Sequence, residues 1–490
     1  MSSVELIQSS EVEYSPLSLV DESGRVFFWR GRVLRAVTAE SAPEMRARFD
    51  SGLVAALRKR DLIPETRITE LRMDGFALIV EHARIPVITL PYEWTYGMLR
   101  AAAACVLETN EVANAHGWEL KDCHGYNVLF EGPSPRYIDL GSFVRRREGQ
   151  RGWSAYEEFV RFYLYPLQVW QGGDNYTARH WLATADNVPH ESALLYRHPM
   201  LRRIGGAAKW ARLLREWHRF RRLSGTREET IRRGFSSRRA NILLWLRRQA
   251  WLPGQSVDLA GERRRLRARE RRWMGSVWSE YQSTFDVTEP TPRFRRVLEI
   301  VRELRPRRVL ELGGNQGWLA HQILTSGAAE EVICTDGDEE AVDRAFREAS
   351  RLTSGLNTAV LDFIFPLSAG IELPPAQRLG ADVVLALAVS HHVLLTQKIS
   401  VERFFTAVGS FARRHVLIEF MPLGLWDGRS APPLPDWYRR EWFRAQFSQA
   451  FKLIAEEVLE ENRILFVGEI RSAADRVTPA AIQANFAPAS

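Results

Sequence analysis

The chain has 490 residues, and 45% of them are hydrophobic, so it has enough apolar material for packed cores in two or three domains. Its 67 lysines and arginines outnumber its 60 aspartates and glutamates, which gives a modest formal net charge of +7. Cys105, Cys123 and Cys334 lie far apart, which excludes a disulfide framework and the usual spacing of zinc ligands. We find neither a signal-peptide pattern at the start nor an apolar run that could span a bilayer, so we expect a cytoplasmic protein.

The beginning of the chain alternates short strands with helices. Residues 25–29 and 32–37 are two β-prone runs joined by a two-residue turn, which predicts a β-hairpin. Three further predicted elements follow: a helix at 43–57, a buried strand at 76–81 and a long alanine-rich helix at 95–116. This order of elements predicts a domain that mixes antiparallel strands with helices.

Polar residues follow the long helix in the pattern D-x-x-x-x-N, a short hairpin and D-L-G, with Asp122, Asn127 and Asp139 in the key positions. The pattern resembles the catalytic and metal-binding loops of the protein-kinase-like fold, as in small-molecule phosphotransferases. This resemblance implies that Asp122 orients an acceptor hydroxyl and that Asn127 and Asp139 bind magnesium. The alternative is an Asp/Asn-rich turn whose side chains accept hydrogen bonds from nearby backbone amides.

The same region departs from the kinase pattern in three places. Leu120 stands where the family has a histidine, and no residue matches the phosphate-binding strand lysine, to which Arg35 is nearest. No glycine-rich loop precedes the hairpin, where the pair Ser23-Gly24 stands instead. Without these parts, nucleotide phosphates are neither enclosed nor neutralised. We therefore predict a degenerate kinase-like domain with at most a degenerate magnesium site, and no phosphate transfer at a useful rate.

The middle of the chain is rich in aromatic residues and then in arginine. Aromatics at helical spacing in 152–171 predict a helix that packs in a core. The arginines of 201–272 suit a nucleic-acid or anionic-lipid surface, or else a solvated helical face. Interspersed glutamates favour the solvated face, so we do not expect a nucleic-acid partner. Proline and glycine at 253–261 predict a linker, and helices are predicted at 273–281 and 292–304.

A glycine-rich turn at 313–317 joins a short apolar strand at 309–312 to a predicted helix at 318–324. Strand, turn and helix form the first unit of a nucleotide-binding α/β sheet, because glycines let the chain turn sharply and let a ligand approach the backbone. The turn is not G-x-G-x-x-G and no G-K-[S/T] follows it, which disfavours both a dinucleotide site and a P-loop triphosphate site.

A second apolar run, 331–336, ends in Asp336, where an acid can accept hydrogen bonds from the ribose hydroxyls of an adenosine. E-x-G-x-N-x-G, which begins at Glu311, and the following T-D-G-D resemble class I S-adenosylmethionine-dependent methyltransferases. Their usual turn is (D/E)-x-G-x-G-x-G, and Asn315 replaces its middle glycine. The resemblance implies S-adenosylmethionine as cofactor. It places these residues in the cofactor site: Glu311, Gly313, Gly314, Asn315, Gly317, Asp336, Gly337, Asp362 and Phe363.

The rest of the chain continues the α/β rhythm. Five further strands are predicted at 356–363, 382–388, 415–422, 451–458 and 463–470, the last two as an antiparallel pair. Seven strands of this order are the sheet of class I methyltransferases. In that family an acid at the end of the third strand bonds the adenine amino group and an aromatic residue stacks on the ring, which implies these roles for Asp362 and Phe363.

Two adjacent histidines, His391 and His392, follow the fourth strand, at the edge where open α/β sheets bind ligands. Imidazole takes a proton from a hydroxyl or an amine near neutral pH, so we predict that one of them is catalytic. The alternative is a histidine that only bonds the backbone at the strand end. The motif is not D/N-P-P-Y/F, which argues against amide and adenine-N6 acceptors. The loop around Trp426 is predicted to face the acceptor.

We therefore expect an α/β protein with a Rossmann-like seven-stranded methyltransferase sheet behind an α+β kinase-like domain and a helical arginine-rich linker region. The predicted boundaries are a kinase-like domain at 1–250, a linker and helix at 251–290, a methyltransferase domain at 291–472 and a loose tail at 473–490. The front domain and the histidine pair together resemble bacterial methyltransferases, including those linked to nodulation signals, which implies a small-molecule or glycan-type acceptor. The alternatives are a phosphotransferase with a regulatory methyltransferase domain and a non-enzymatic scaffold, the latter disfavoured by the intact acids.

Overall fold

The structure is a computed structural model of the chain. It describes residues 5–15, 18, 21–150, 152–183, 258–269, 271, 275–276, 290–350, 355–368, 372–426 and 429–471. Most of the arginine-rich stretch, the predicted helix at 273–281 and the tail lie outside these residues.

The N-terminal half begins with a five-stranded antiparallel sheet in the order β2-β3-β4-β7-β5. The sheet strands are β2 (Glu13–Tyr14), β3 (Gly24–Trp29), β4 (Arg32–Val37), β5 (Thr66–Ile68) and β7 (Leu78–His82), while β1 (Leu6–Ile7) and β6 (Arg72–Met73) pair separately. The predicted hairpin is confirmed, with Phe27 opposite Leu34. Its two turn residues, Arg30 and Gly31, both have positive φ, which matches the right-handed twist of the strands.

The helix predicted at 43–57 is two helices, α1 (Ala42–Asp50) and α2 (Leu53–Lys59). Gly52 separates them with a φ of 77°, a left-handed conformation that glycine adopts without steric cost. The long predicted helix is α3 (Tyr96–Ala115), and the Thr95 side chain caps it by accepting a hydrogen bond from Met98 N at 3.2 Å. Most of α3 is buried, so it forms the centre of the front half.

Two short antiparallel pairs follow α3. They are β8 (Trp118–Leu120) with β11 (Phe143–Arg145), and β9 (Val128–Glu131) with β10 (Ser134–Tyr137). The aromatic helix predicted at 152–171 begins only at Tyr156 and is irregular, because a π-helical turn separates its two α-helical parts. The parts are α4 (Tyr156–Phe159), the π turn (Val160–Leu164) and α5 (Tyr165–Gln171), followed by α6 (Asn175–Ala183).

One more helix, α7 (Leu259–Ala268), lies in the segment predicted as a linker. The residues at 259–261 are therefore helical rather than part of a loop. Arg263 of α7 pairs with Glu111 of α3 at 2.8 Å, so this helix packs on the front half. Asp258 caps it by accepting a hydrogen bond from Gly261 N at 2.8 Å.

The C-terminal half is a seven-stranded sheet in the order β14-β13-β12-β15-β16-β18-β17. Its strands are β12 (Arg308–Leu312), β13 (Glu331–Asp336), β14 (Leu356–Val360), β15 (Ala381–Ala386), β16 (Ala412–Phe420), β17 (Phe451–Glu460) and β18 (Arg463–Ile470). The first five in spatial order are parallel, and β18 is antiparallel to both of its neighbours. The strand order reverses between β12 and β15, and such a reversal opens a crevice at the carboxyl ends of the strands.

Helices cover both faces of this sheet, which is why its central strands are almost wholly apolar. The helices are α8 (Pro292–Leu304), α9 (Trp318–Thr325), α10 (Glu339–Ala349), α11 (Pro375–Arg378), α12 (Val401–Phe411) and α13 (Arg440–Ala450). Three strands end earlier than predicted. The third ends at Val360, so Asp362 and Phe363 lie in the following loop; the fourth ends at Ala386, and the fifth ends at Phe420.

The two halves pack directly on each other. Phe346 of α10 belongs to the front core, with its ring centroid 5.8 Å from that of Phe130. Asp343, one turn earlier, accepts a hydrogen bond from Gly97 N of α3 at 2.8 Å. Arg378 forms a buried bidentate ion pair with Glu93, at 2.6 and 2.8 Å. The C-terminal half therefore packs against the front half through both apolar and ionic contacts. The predicted domain boundaries remain predictions.

Candidate active site

The turn between β12 and α9 contains three residues with left-handed backbone conformation: Gly313, Asn315 and Gly317, with φ of 76°, 54° and 74°. Asn315 occupies the position of the expected middle glycine. Asparagine is among the few non-glycine residues that adopt this conformation readily, so the replacement preserves the path of the turn.

The glycines of this turn are required by the protein's own packing. A Cβ on Gly313 would lie 2.6 Å from Val389, and one on Gly314 would lie 2.7 Å from Cys334 Sγ and 2.8 Å from Glu311 Oε2. These distances are shorter than carbon contacts allow, so a larger residue would push the turn away from β13. The glycines therefore let other segments of the chain pack closely against the turn, whether or not a ligand also approaches it.

Asp336 lies at the carboxyl end of β13, directly beside the turn. Its Oδ2 accepts a hydrogen bond from Asn315 N at 2.9 Å, and its Oδ1 accepts one from Asp338 N at 2.8 Å. Burial raises the pKa of Asp336, and the backbone donors oppose that rise. Each carboxylate oxygen has a second lone pair, so the side chain retains acceptor capacity for a ligand hydroxyl.

Glu311 lies at the corresponding end of β12 and is buried, with an exposed fraction of 5%. Its Oε2 has no hydrogen-bond partner among the described residues. Burial, with the nearby Asp336 charge, raises the pKa of Glu311 to about 8. A buried carboxyl oxygen without a partner is costly, and a ligand donor at this place would satisfy it. This oxygen is the observation that fits a polar cofactor in the turn.

Asp362 and Phe363 lie in the loop after β14. The exposed Asp362 accepts hydrogen bonds at Oδ1 from Ile364 N at 3.0 Å and Phe365 N at 2.9 Å, so it shapes its own turn. Phe363 is half-buried and its ring contacts Phe404 edge-on, with centroids 6.2 Å apart. Phe363 is thus partly committed to the core, and its role in stacking remains a prediction.

His391 and His392 follow β15 and touch each other, with ring centroids 4.0 Å apart. His391 is buried, and its Nδ1 has no hydrogen-bond partner among the described residues. Burial, reinforced by the nearby His392 and Arg463, lowers the pKa of His391 to about 3, and burial also lowers the pKa of His392. Both rings are therefore neutral near pH 7, and burial makes both of them weaker bases than free imidazole.

A buried ionic network, which the sequence did not reveal, lies beneath these histidines. Glu419 of β16 is fully buried and accepts two hydrogen bonds from Arg293 of α8, both at 2.6 Å, and one from Arg463 at 3.2 Å. Although burial opposes it, Arg293 lowers the pKa of Glu419. Glu419 also accepts a hydrogen bond from Ala388 N at 2.9 Å, and its backbone carbonyl accepts one from Ser390 Oγ at 2.6 Å.

This network holds a strained loop. Ala388 has a φ of 53°, a conformation that costs a residue with a Cβ about 1–2 kcal/mol. Such strain persists only where surrounding contacts impose it, and it is common at functional sites. Glu419 supplies those contacts on both sides of Val389, so the network fixes where the chain presents His391.

An aromatic loop borders the same edge of the sheet. Trp426 and Trp437 are exposed at 36% and 45%. The loop touches the histidine segment near Gly424, where an added Cβ would lie 2.9 Å from Leu395. Tyr438 is buried, lies 4.9 Å from Phe420 between ring centroids, and has a hydroxyl without a partner among the described residues.

In the front half, Asp122, Asn127 and Asp139 are among the residues that line one cavity of about 2400 Å³. Arg35 lines it too. Its Nη1 lies 3.2 Å from Asp139 Oδ1, its Nη2 pairs with Asp21, and Gly141 N donates to the same Asp139 oxygen at 2.8 Å.

The Ser142 hydroxyl donates to the other carboxyl oxygen of Asp139. Both carboxyl oxygens of Asp139 therefore already accept hydrogen bonds, and Oδ1 also lies beside the positively charged guanidinium of Arg35. A magnesium ion would have to displace that cation, so the residues present do not fit a magnesium site at Asp139. The His124 ring lies 3.4 Å from Oδ1 of Asp122, the other predicted acid.

No protein-family model matches this chain. Nodulation protein NoeA from Rhizobium meliloti (strain 1021) is 26% identical over 437 residues, which are 83% of this chain and 84% of that protein. Among solved structures, the methyltransferase domain of bacterial CtHen1-C aligns at 14% identity and a TM-score of 0.29, over 38% of this chain and 100% of that one. N-methyltransferase NodS from Bradyrhizobium japonicum WM9, in complex with S-adenosyl-L-homocysteine, aligns at 13% identity and a TM-score of 0.29, over 39% and 96%. These similar solved structures are methyltransferases.

Within the described residues, none of the helices has the length and apolarity needed to cross a membrane.

Proposed function

We propose that the chain is an S-adenosylmethionine-dependent methyltransferase that acts on a small-molecule or glycan-type acceptor. The observation that carries the proposal is the pair of acids, Glu311 and Asp336, at the carboxyl ends of two adjacent parallel strands. Between them lies a turn with left-handed Asn315, and Glu311 offers a buried oxygen without a partner among the described residues. An acid pair around such a turn suits a ligand with both an amine and ribose hydroxyls.

In this proposal the turn residues Gly313, Gly314, Asn315 and Gly317 with Glu311 bind the amino-acid part of the cofactor. Asp336 with Gly337 binds the ribose, and the loop with Asp362 and Phe363 lies at the adenine. When bound, the cofactor supplies an already activated methyl group. The chain then has to orient the acceptor and exclude water.

His391 is the residue that we propose for proton transfer, because it follows β15 and its ring Nδ1 has no partner among the described residues. Its lowered pKa leaves it unprotonated at neutral pH. A neutral ring has a nitrogen that can accept a proton, but a pKa of about 3 makes His391 a weak base. Its low basicity limits it to an acceptor whose proton is already loosened during methyl transfer. The exposed rings of Trp426 and Trp437 offer apolar faces on which a sugar or another ring can pack.

Calorimetry with S-adenosylhomocysteine tests the proposal directly. We expect a dissociation constant in the micromolar range or tighter for the full chain. Mg-ATP, titrated in a parallel experiment, tests the alternative of a phosphotransferase whose methyltransferase domain is regulatory. Heat with Mg-ATP and none with S-adenosylhomocysteine would reverse the ranking of the two functions.

One observation favours that alternative: Asp122, Asn127 and Asp139 line the same cavity. Against it, Arg35 already forms an ion pair with Asp139. The planar guanidinium of an arginine is also not equivalent to the compact charge of the lysine in phosphotransferases. We expect no transfer from labelled ATP with magnesium or manganese in the presence of cell extract. A labelled product that disappears in Asp139→Ala would show that the front half is a working kinase.

A further inference from the structure

Glu339, the first residue of α10, is a point where the two halves meet close to the proposed cofactor site. Its side chain is only 5% exposed. Trp170 Nε1 and Asn175 Nδ2 donate to its Oε2 at 3.0 and 3.2 Å, and Arg179 pairs with the same oxygen at 3.1 Å. Arg271 Nη1 donates to its Oε1 at 3.0 Å. A buried carboxylate requires such partners, and all four lie outside the C-terminal half.

Glu339 is connected to the turn that binds the proposed cofactor through its chain neighbour Asp338 and then through two hydrogen bonds of Asp336. Asp338, next to Glu339, caps α10 by accepting hydrogen bonds from Glu340 N at 2.9 Å and Ala341 N at 3.2 Å. The Asp338 amide donates to Asp336, whose other oxygen accepts from Asn315 N at 2.9 Å. The position of Glu339 therefore affects the orientation of the Asp336 carboxylate.

The donors are themselves fixed on the front half. Trp170 is fully buried in the front core, and its ring centroid lies 6.4 Å from that of Tyr96. Arg179 also donates from Nη1 to the Tyr92 carbonyl at 2.8 Å. Trp170 and Arg179 are thus anchored in the front half, and they hold Glu339 from a surface that the C-terminal half does not supply.

We propose that the N-terminal half completes the cofactor site: Trp170, Asn175 and Arg179 hold Glu339, and Glu339 positions Asp336 for the ribose hydroxyls. This inference rests on the proposed function. Glu339 and its donors are positioning residues, because they act through Asp336 and do not contact the cofactor.

Calorimetry with S-adenosylhomocysteine on the full chain tests the inference with paired variants. Trp170→Phe removes one donor to Glu339 and keeps the aromatic ring, and Arg179→Gln removes the ion pair. We expect each to weaken binding by about tenfold, in the range of ordinary coupling between sites.

Trp94→Phe is the matched control, because that buried indole donates to Thr89 at 3.1 Å, away from Glu339. Arg263→Gln is the second control, since it breaks an ion pair with Glu111. Both controls should bind as the wild type does.

A double-mutant cycle separates positioning from general destabilisation. In an Asp336→Asn background, Glu339→Gln should cost much less affinity than it costs in the wild type, because the residue that Glu339 positions has already been altered. Arg179→Lys, which keeps the positive charge, should recover part of the affinity that Arg179→Gln loses.

The outcomes distinguish the two proposals. A wild-type chain that does not bind S-adenosylhomocysteine overturns the proposed function and this inference with it. If the wild type binds and the Trp170, Arg179 and Glu339 variants bind equally well, only this inference is wrong. Equal losses in Trp170→Phe and Trp94→Phe, or additive effects in the cycle, would also overturn it, because the loss would then reflect stability alone.

Discussion

The carboxyl group of Glu311 is buried in the folded protein and poorly hydrated. Its Oε2 has no partner among the described residues, and the neighbouring Asp336 adds a like charge. Both effects favour the neutral acid, so folding and protonation of Glu311 are linked. The residue proposed to bind a cofactor amine is therefore a source of instability when the site is empty and the pH is high.

The first prediction follows from that linkage. The pKa of Glu311 is raised from 4.5 to about 8, so its contribution to stability is complete below pH 4.5 and is lost as the pH rises through 8. Glu311→Gln cannot ionise and should gain about 1–3 kcal/mol of unfolding free energy relative to the wild type on going from pH 5 to pH 9. Denaturant titrations at the two pH values measure it. The exposed control Glu299→Gln should show no such change, and a pH-independent difference for Glu311→Gln would contradict the linkage.

The second prediction concerns Asp336. Asp336→Ala removes the carboxylate proposed to accept the ribose hydroxyls, and a lost pair of charge-assisted hydrogen bonds costs about 2–3 kcal/mol, or roughly thirty- to a hundredfold in affinity for S-adenosylhomocysteine. The matched control is Asp382→Ala. Asp382 accepts hydrogen bonds from Arg307 N and Arg308 N at the opposite, amino-terminal edge of the same sheet. Calorimetry that gives both variants the same affinity would show that Asp336 does not bind the cofactor.

At the scale of elements, α8 carries two arginines whose ion pairs differ in burial. Arg293 pairs with Glu419 in the interior, where side-chain exposures are 7% and 0%. Arg296 pairs with Glu457 near the surface, where they are 36% and 31%. Both pairs are bidentate. Without Arg293, the buried Glu419 keeps Arg463 at 3.2 Å as its remaining cation among the described residues, whereas water replaces a lost partner at the surface.

The third prediction compares these two pairs. Arg293→Met should cost about 3–5 kcal/mol in unfolding free energy, and Arg296→Met about 1 kcal/mol or less. Because Glu419 also holds Ala388, hydrogen exchange of the backbone from 387 to 396 should become faster only in Arg293→Met. Equal costs for the two variants, or unchanged exchange in that loop, would show that the Glu419 network does not hold the histidine segment.

The strands and the glycine turn could be predicted from the sequence because their signals are local: apolar runs that end in Glu311 or Asp336. The separation of α1 from α2 was missed because it depends on one left-handed glycine, Gly52. The network around Glu419 was invisible because Arg293 lies 126 residues away in sequence. Trp170 lies 169 residues from Glu339, so that contact depends on how the two halves pack and on no local pattern.

At the scale of the whole molecule, the two halves share a core. Phe346 belongs to the C-terminal half in sequence and to the front core in space, and the buried pair of Arg378 with Glu93 crosses the same boundary. A shared apolar core and a buried ion pair make separate unfolding of either half unfavourable, because each would expose surface that the other covers. We therefore expect the halves to unfold together.

The fourth prediction tests this shared stability by hydrogen exchange with mass spectrometry. Phe346→Ala removes a buried ring and should cost about 3–5 kcal/mol. If the halves unfold together, peptides from α3 in the front half and from β13 in the C-terminal half should lose protection by the same amount. The control Phe365→Ala truncates a ring that is 59% exposed and should change neither. Loss of protection confined to the C-terminal peptides would show that the halves unfold independently. The front half would then be a separate domain that merely contacts the sheet, and the stability of the proposed cofactor site would not depend on it.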